Sequence, residues 1–155
     1  YFEIVGIERK EAYLPHGIDV CFSAVETALL RERLLSLDTI EGFAYSFDEE
    51  KYASEIRRIY GGVADEVLSL QEKLGWYKID RVQLYKEKWE EIQKILADAP
   101  SANEMLSLAE RVGLDKNEFD ALYGEKKIED ARLYGKDLKD RYTVLWMYYD
   151  LFGQK

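Results

Sequence analysis

The spacing of apolar residues constrains the fold of this 155-residue chain more than any other feature. From Ile18 to Leu37 apolar residues recur every three or four positions, as they do along one side of an α-helix. The same period returns in most later segments, and only two prolines are available to interrupt it. Strict alternation fails even in Tyr1–Ile7, which we interpret as the tail of a helix or a short extended piece. The sequence therefore predicts an all-α multi-helix bundle in one domain, residues 1–155.

Residues that start or stop helices mark the boundaries of these segments. Asp48 can cap a helix, while Ser101 and Glu104 have the spacing of a capping box. Gly61-Gly62 and Pro100 interrupt the period, and Gly75 is typical of a helix end. We predict helices over Ile18–Leu37, Asp48–Tyr60, Val63–Leu74, Asp80–Ala97, Ser101–Gly113, Asn117–Leu122 and Lys127–Leu151.

Two parts of the last predicted helix carry functional alternatives. The charged run Lys136–Tyr142 is interpreted as a solvated helix face, with Asp137 and Arg141 paired four residues apart. An aromatic concentration follows, and it predicts either core packing or a docking surface for another domain. Its members are Trp146, Tyr148, Tyr149 and Phe152.

Charge and composition exclude several classes of partner. The chain has 22 Lys and Arg against 31 Asp and Glu, a formal net charge of −9. Such a balance disfavours binding to nucleic acid or to an anionic membrane surface. No apolar run is long enough to cross a bilayer, and a single cysteine favours a reducing, cytoplasmic compartment. Because the sequence begins at Tyr1, we expect a processed chain or a piece of a longer one.

His16, the only histidine, is the one candidate metal ligand. It lies at the N-terminal end of the first long predicted helix, and Gly17 leaves space for other groups to approach it. The alternative is an ordinary histidine in a turn, because a metal site needs three or four ligands. Asp19 is either a neighbour of His16 on the same helical face or an ordinary first-turn acid, and Cys21 is interpreted as a small buried side chain.

No catalytic motif accompanies this histidine. Gly61-Gly62 lacks the Lys-Ser/Thr of a phosphate-binding loop, and no glycine-rich fingerprint for a dinucleotide follows a strand. A nucleophile elbow of the Gly-x-Ser-x-Gly type is also missing from the sequence. No catalytic residue is therefore assigned within this chain.

Several segments nevertheless resemble one family. They are Pro15-His16-Gly17, the small-residue helix ending at Leu29–Leu37, and the distal pieces at Gly124, Ala131–Leu145 and Asp150–Gly153. Together they resemble the C-terminal helical domain of sn-glycerol-1-phosphate dehydrogenases, relatives of iron-containing alcohol dehydrogenases, glycerol dehydrogenase and dehydroquinate synthase. Asp140–Leu145, Asp-Arg-Tyr-Thr-Val-Leu, is the most specific piece. The resemblance covers essentially the whole chain but only half or less of the family's polypeptide.

The resemblance implies the helical part of a two-domain NAD(P)-dependent oxidoreductase that interconverts dihydroxyacetone phosphate and glycerol 1-phosphate. An N-terminal domain would bind NAD or NADP, and the substrate would be a small phosphorylated triose. His16 matches the family's last metal ligand, while the other histidine and an aspartate would lie upstream of Tyr1. The metal would be divalent, zinc first, with nickel or iron as alternatives, and a homo-oligomer is compatible with the family.

A second reading is a non-catalytic helical binding module that keeps the architecture but has lost the chemistry. Ile18, Cys21 and Ser23 stand where the family usually has a polar residue and glycines. On either reading the chain alone is not expected to be active, because it lacks the dinucleotide domain.

Overall fold

The computed structural model describes residues 1–153, whose regular secondary structure is all helical, with no β-strand among them. The α-helices are α1 (Phe2–Arg9), α2 (His16–Leu35), α3 (Glu49–Tyr60), α4 (Ala64–Leu74), α5 (Val82–Glu87), α6 (Trp89–Ala97), α7 (Ala102–Arg111), α8 (Lys116–Tyr134) and α9 (Val144–Tyr148). The prediction of an all-α chain is confirmed, and α1 selects the helical alternative for the opening segment. Within residues 1–153, no helix combines the length and apolarity needed to span a bilayer.

The capping signals in the sequence form as predicted. The Asp48 carboxylate accepts a 2.9 Å hydrogen bond from the Lys51 amide at the start of α3. Ser101 and Glu104 make both bonds of the capping box before α7. Gly75 ends α4 with φ 67°, a left-handed conformation that favours glycine. Local side-chain chemistry therefore fixes these boundaries.

Two predicted long helices are broken in the structure. Asp80–Ala97 divides at Lys88, whose φ of −115° and ψ of 14° separate α5 from α6. The predicted short helix at Asn117–Leu122 instead belongs to α8, which bends at Gly124. The predicted helix Lys127–Leu151 is wrong in its middle, because α8 ends at Tyr134 and α9 begins only at Val144.

The interruption between α8 and α9 also overturns the predicted ion pair of Asp137 and Arg141. Asp137 lies in a 3₁₀ turn, Gly135–Leu138, and is fully buried, whereas Arg141 is exposed in the following irregular segment. The Tyr77 hydroxyl and the Lys136 ammonium both donate to Asp137 inside the protein. Asp137 is therefore held by hydrogen bonds in the interior, and the charged run does not form the solvated helix face that the sequence predicted.

Helix α2 lies at the centre and packs against α1, α6, α7, α8 and α9. Its first half contributes Phe22 to a core with Phe2 and Phe119, and its second half contributes Leu34 to a core with Met147. Of the aromatic concentration, Trp146, Tyr148 and Tyr149 are buried and Phe152 is half-buried. The core interpretation of the three buried rings is confirmed, and they form no docking surface.

Candidate functional site

His16 is the first residue of α2, where it projects beside α1. Its side chain is 76% exposed, and its Nδ1 atom lies 3.1 Å from Oε2 of Glu3. The contact arises because α1 turns back through residues 10–15, so that Glu3 in the first turn of α1 faces the start of α2. Gly17 follows, and a Cβ there would meet nothing within 4 Å. The space beside the imidazole is therefore open, as the sequence predicted.

The Glu3 contact assigns the two nitrogens of the imidazole different roles. A carboxylate only accepts hydrogen bonds, so Nδ1 is the nitrogen that carries the proton in this pair. In the neutral ring, Nε2 then keeps its lone pair and can bind an ion. Metal-ligating histidines generally donate their other N–H to such a carboxylate or carbonyl. The chemistry of His16 thus fits one ligand position.

Asp19 lies one turn further along α2 and is buried, with only 6% of its surface exposed. Its Oδ1 atom accepts a 2.6 Å hydrogen bond from the hydroxyl of Tyr123 in α8. Its Oδ2 atom is buried and has no hydrogen-bond partner within residues 1–153. Burial raises the pKa of the Asp19 carboxyl, and the Tyr123 hydrogen bond opposes that effect. Asp19 is an acid in the first turn of α2, three residues from His16, so both sequence alternatives remain compatible with the structure.

The burial of Asp19 reverses one detail of the predicted helix face. The apolar period assigned Val20 to the buried side of α2, yet Val20 is 53% exposed. The helix is rotated so that Asp19 reaches Tyr123, whose ring stacks on Phe2 with centroids 4.1 Å apart. Packing of the aromatic cluster therefore sets the rotation at this end of α2.

Sequence reasoning missed Tyr123, which supports the site from the opposite helix. Besides donating to Asp19, its hydroxyl accepts a 2.9 Å hydrogen bond from the Leu14 amide. The next residue is Gly124, with φ 67° and ψ 160°, where α8 bends. Only glycine adopts this backbone conformation readily. The isolated glycine in a helical pattern was the available signal for this bend.

A groove of about 410 Å³ connects these side chains. We call it the His16 groove. Its lining includes Glu3 of α1 and four residues of α2, namely His16, Asp19, Ser23 and Thr27. Its volume falls in the range of small-molecule sites. A smaller cavity of about 180 Å³ shares Ser23 and Thr27 with the groove.

The segment between α8 and α9 runs past this groove. Leu138 and Lys139, immediately before Asp140, line the His16 groove, and Leu145 lines the adjoining cavity. Lys139 is exposed, and it is the one lysine or arginine among the groove-lining residues of segment 1–153. Residues near positions 16 and 139 therefore line the same groove.

The remaining candidate residues do not gather into a metal cluster. Cys21 is half-buried and packs against the aromatic core of α1, α2 and α8 instead of pointing to a cluster of ligands. Across residues 1–153 there is no group of three or more His, Cys, Asp or Glu side chains arranged to hold an ion. Among residues 1–153, His16 is therefore not joined by a cluster of further candidate ligands.

A second polar group lies in the interior and was not expected from the sequence. Lys136 and Asp137 are both fully buried, with Nζ 2.9 Å from Oδ2. Nζ also donates to the Tyr77 hydroxyl and the Leu133 carbonyl at 2.7 Å, so all three of its protons are used. Four rings surround the ammonium at centroid distances of 3.8 to 5.4 Å, those of Tyr77, Tyr134, Trp146 and Tyr149. We call this the sealed cluster.

Comparison of the chain with protein-family models, with curated proteins and with solved structures finds no match.

Proposed function

We propose that the chain is the metal-side helical domain of an NAD(P)-dependent dehydrogenase that reduces dihydroxyacetone phosphate to glycerol 1-phosphate. The architecture would be that of the dehydroquinate synthase-like C-terminal domain. The proposal rests on the resemblance of Pro15-His16-Gly17 and Asp140–Leu145 to that family. A divalent metal held partly by His16 would polarise the oxygen of the substrate carbonyl.

One observation supports the proposal most strongly: the pairing of His16 with Glu3 inside the groove that the distal segment also lines. Glu3 holds the proton on Nδ1 and leaves Nε2 for an ion. Gly17 keeps the approach open. Tyr1 lines the same groove, so residues joined to it upstream would begin at the wall of this groove. That position suits the further ligands which the family supplies from upstream.

The reaction balances as a hydride transfer. A hydride from NADH or NADPH adds to C2 of dihydroxyacetone phosphate, and one proton adds to the carbonyl oxygen, which yields glycerol 1-phosphate and the oxidised dinucleotide. The N-terminal domain would hold most of the dinucleotide. The residues of this chain would bind and orient the triose.

Lys139 is the candidate for the phosphate end of the substrate. It lines the groove that contains His16, and its ammonium is exposed. A lysine binds phosphate as a point charge, and in a chain of net charge −9 an isolated cation gives an anionic substrate a local point of attraction.

The test is an assay of the intact protein with dihydroxyacetone phosphate and either NADH or NADPH, together with metal analysis. We expect turnover that depends on zinc, nickel or iron. His16→Ala should lower metal affinity by more than about 100-fold, and Glu3→Gln by about 10- to 100-fold. Lys94→Ala, an exposed substitution on α6, is the matched control and should change neither quantity.

Two results would contradict the proposal. Absence of turnover with every added metal would exclude the dehydrogenase activity. Full metal binding by the His16→Ala protein would exclude His16 as a ligand. A folded protein that neither binds an ion nor turns over the substrate would instead support the non-catalytic binding module.

A further inference from the structure

The unpartnered oxygen of Asp19 is the least explained polar atom in the His16 groove. A buried carboxylate oxygen without a donor is costly, so native proteins rarely leave one in that state. Oδ1 already accepts from Tyr123 at 2.6 Å, whereas Oδ2 has no donor within residues 1–153. A carboxylate oxygen can be satisfied only by a donor such as a hydroxyl, an ammonium or a water.

Within residues 1–153, no donor that lines the groove bonds Oδ2 of Asp19, although the Tyr1 ammonium interacts with this carboxylate through its charge. His16 Nδ1 is directed to Glu3, and the Thr27 hydroxyl donates to the Ser23 carbonyl at 2.8 Å. Lys139 lines the groove but, in the part of the chain that the structure describes, forms no ion pair with Asp19. The missing donor is therefore best supplied by a ligand in the groove.

We infer that Asp19 accepts a hydrogen bond from the terminal hydroxyl of the triose substrate and so selects a hydroxylated three-carbon chain. This inference rests on the proposed function. It concerns a residue for which the resemblance gives no role. Tyr123 is a positioning residue, because its hydroxyl holds Oδ1, while Oδ2 has no donor within residues 1–153.

The geometry of α2 fits a substrate of this length. His16 and Asp19 are three residues apart on one helix, which places them on the same face with Cβ atoms about 5–6 Å apart. A three-carbon chain can therefore present its carbonyl oxygen near the imidazole and its terminal hydroxyl near Asp19. Lys139 remains available for the phosphate at the other end.

The test compares two substrates in the intact enzyme: dihydroxyacetone phosphate, and hydroxyacetone phosphate, which carries hydrogen in place of the terminal hydroxyl. The wild-type enzyme should favour dihydroxyacetone phosphate by at least about 10-fold in kcat/KM, because the analogue leaves Oδ2 unpaired. Asp19→Asn places an amide donor or a weaker acceptor there, so the preference should fall to within about twofold. The KM for NADH or NADPH should not change.

Two further variants separate recognition from a structural effect. Tyr123→Phe keeps the Asp19 carboxylate but loosens it, and should reduce the preference by only about threefold. Asp65→Asn makes the same chemical change at an exposed first-turn acid of α4 and should retain the full preference.

The outcomes distinguish this inference from the proposed function. Turnover of dihydroxyacetone phosphate with equal use of both substrates by the wild-type enzyme overturns the role of Asp19 alone, and needs no variant to fold. The same holds if Asp19→Asn keeps the wild-type preference. Absence of turnover with either substrate overturns the proposed function, and this inference with it.

Discussion

The sealed cluster and the His16 groove both contain buried or half-buried charged groups, but they satisfy them differently. In the sealed cluster the Lys136 ammonium has three hydrogen-bond acceptors, and Asp137 is bonded by Lys136 and Tyr77. In the groove Asp19 has one oxygen bonded and one without a donor. Complete pairing indicates a structural role, whereas incomplete pairing beside an open groove indicates a group kept for a ligand.

Solvent access separates the two regions in the same way. Lys136 and Asp137 are enclosed by aromatic rings, and burial raises the pKa of the Asp137 carboxyl and lowers the pKa of the Lys136 ammonium. His16 is mostly exposed, and Gly17 leaves the space beside it open. The first region therefore resists exchange of its partners, and the second can admit one.

The largest expected effect is on the sealed cluster. Asp137→Asn removes the counter-charge of a fully buried ammonium, so the free energy of unfolding should fall by about 3–5 kcal/mol. Chemical denaturation measures it. The double variant Lys136→Met with Asp137→Asn should lose less than the sum of the two single losses, because no charge is left unpaired. Additive losses would contradict the coupling of the pair.

The bend in α8 gives the next largest effect. Gly124→Ala forces an L-residue into φ 67° and ψ 160°, which should cost about 1–3 kcal/mol of unfolding free energy. Space is not the cause, because a Cβ there would meet nothing within 4 Å. Gly42→Ala, also with open space but without positive φ, is the control and should cost far less. Equal losses in a thermal unfolding series would show that the bend at Gly124 is not required.

An Asp→Asn substitution should lower the free energy of unfolding at Asp137 but raise it at Asp19. Asp19→Asn removes a buried charge with an unpaired oxygen, so the free energy of unfolding at pH 7 should rise by about 1 kcal/mol. Equilibrium denaturation of the two Asp→Asn variants side by side tests the comparison. A loss at Asp19 as large as the loss at Asp137 would make Asp19 a structural residue.

The pH dependence of that gain follows from the raised pKa of Asp19. An acid whose pKa is higher in the folded state destabilises the protein above that pKa, where it is ionised, and no longer does so once it is protonated. The advantage of Asp19→Asn should therefore be full at pH 7. It should shrink as the pH falls through the folded-state pKa and vanish below about pH 4, near the unfolded value. Denaturation curves recorded from pH 3 to pH 8 would show this.

The smallest effect on stability is expected at His16. Its exposed side chain contributes only a solvated contact with Glu3, so His16→Ala should change the free energy of unfolding by less than about 0.5 kcal/mol. Thermal unfolding without added metal measures it. A large loss would place His16 with the structural residues and would weaken its assignment as a ligand.

Much of the fold follows from local sequence patterns. The capping residues Asp48 and Ser101 begin helices as predicted, and Gly75 ends one. The predicted helix across residues 127–151 fails because its period continues through residues 135–143, where side-chain bonds to Asp137 and Lys136 hold a 3₁₀ turn. The spacing of apolar residues along a helix reflects only neighbours one or two turns away. It therefore does not predict hydrogen bonds between residues that are far apart in the sequence, such as Tyr77 and Asp137.

The candidate site was likewise only partly predictable from the sequence. The sequence singled out His16, Gly17 and the neighbourhood of Asp19 from residue type and spacing alone. Only the tertiary structure brought Tyr123, 104 positions away, to Asp19, and Glu3 to His16. Helix formation depends on contacts a few residues apart, which the sequence states directly. The donors and acceptors around a buried carboxylate come instead from helices packed side by side, and that packing is decided by the whole chain.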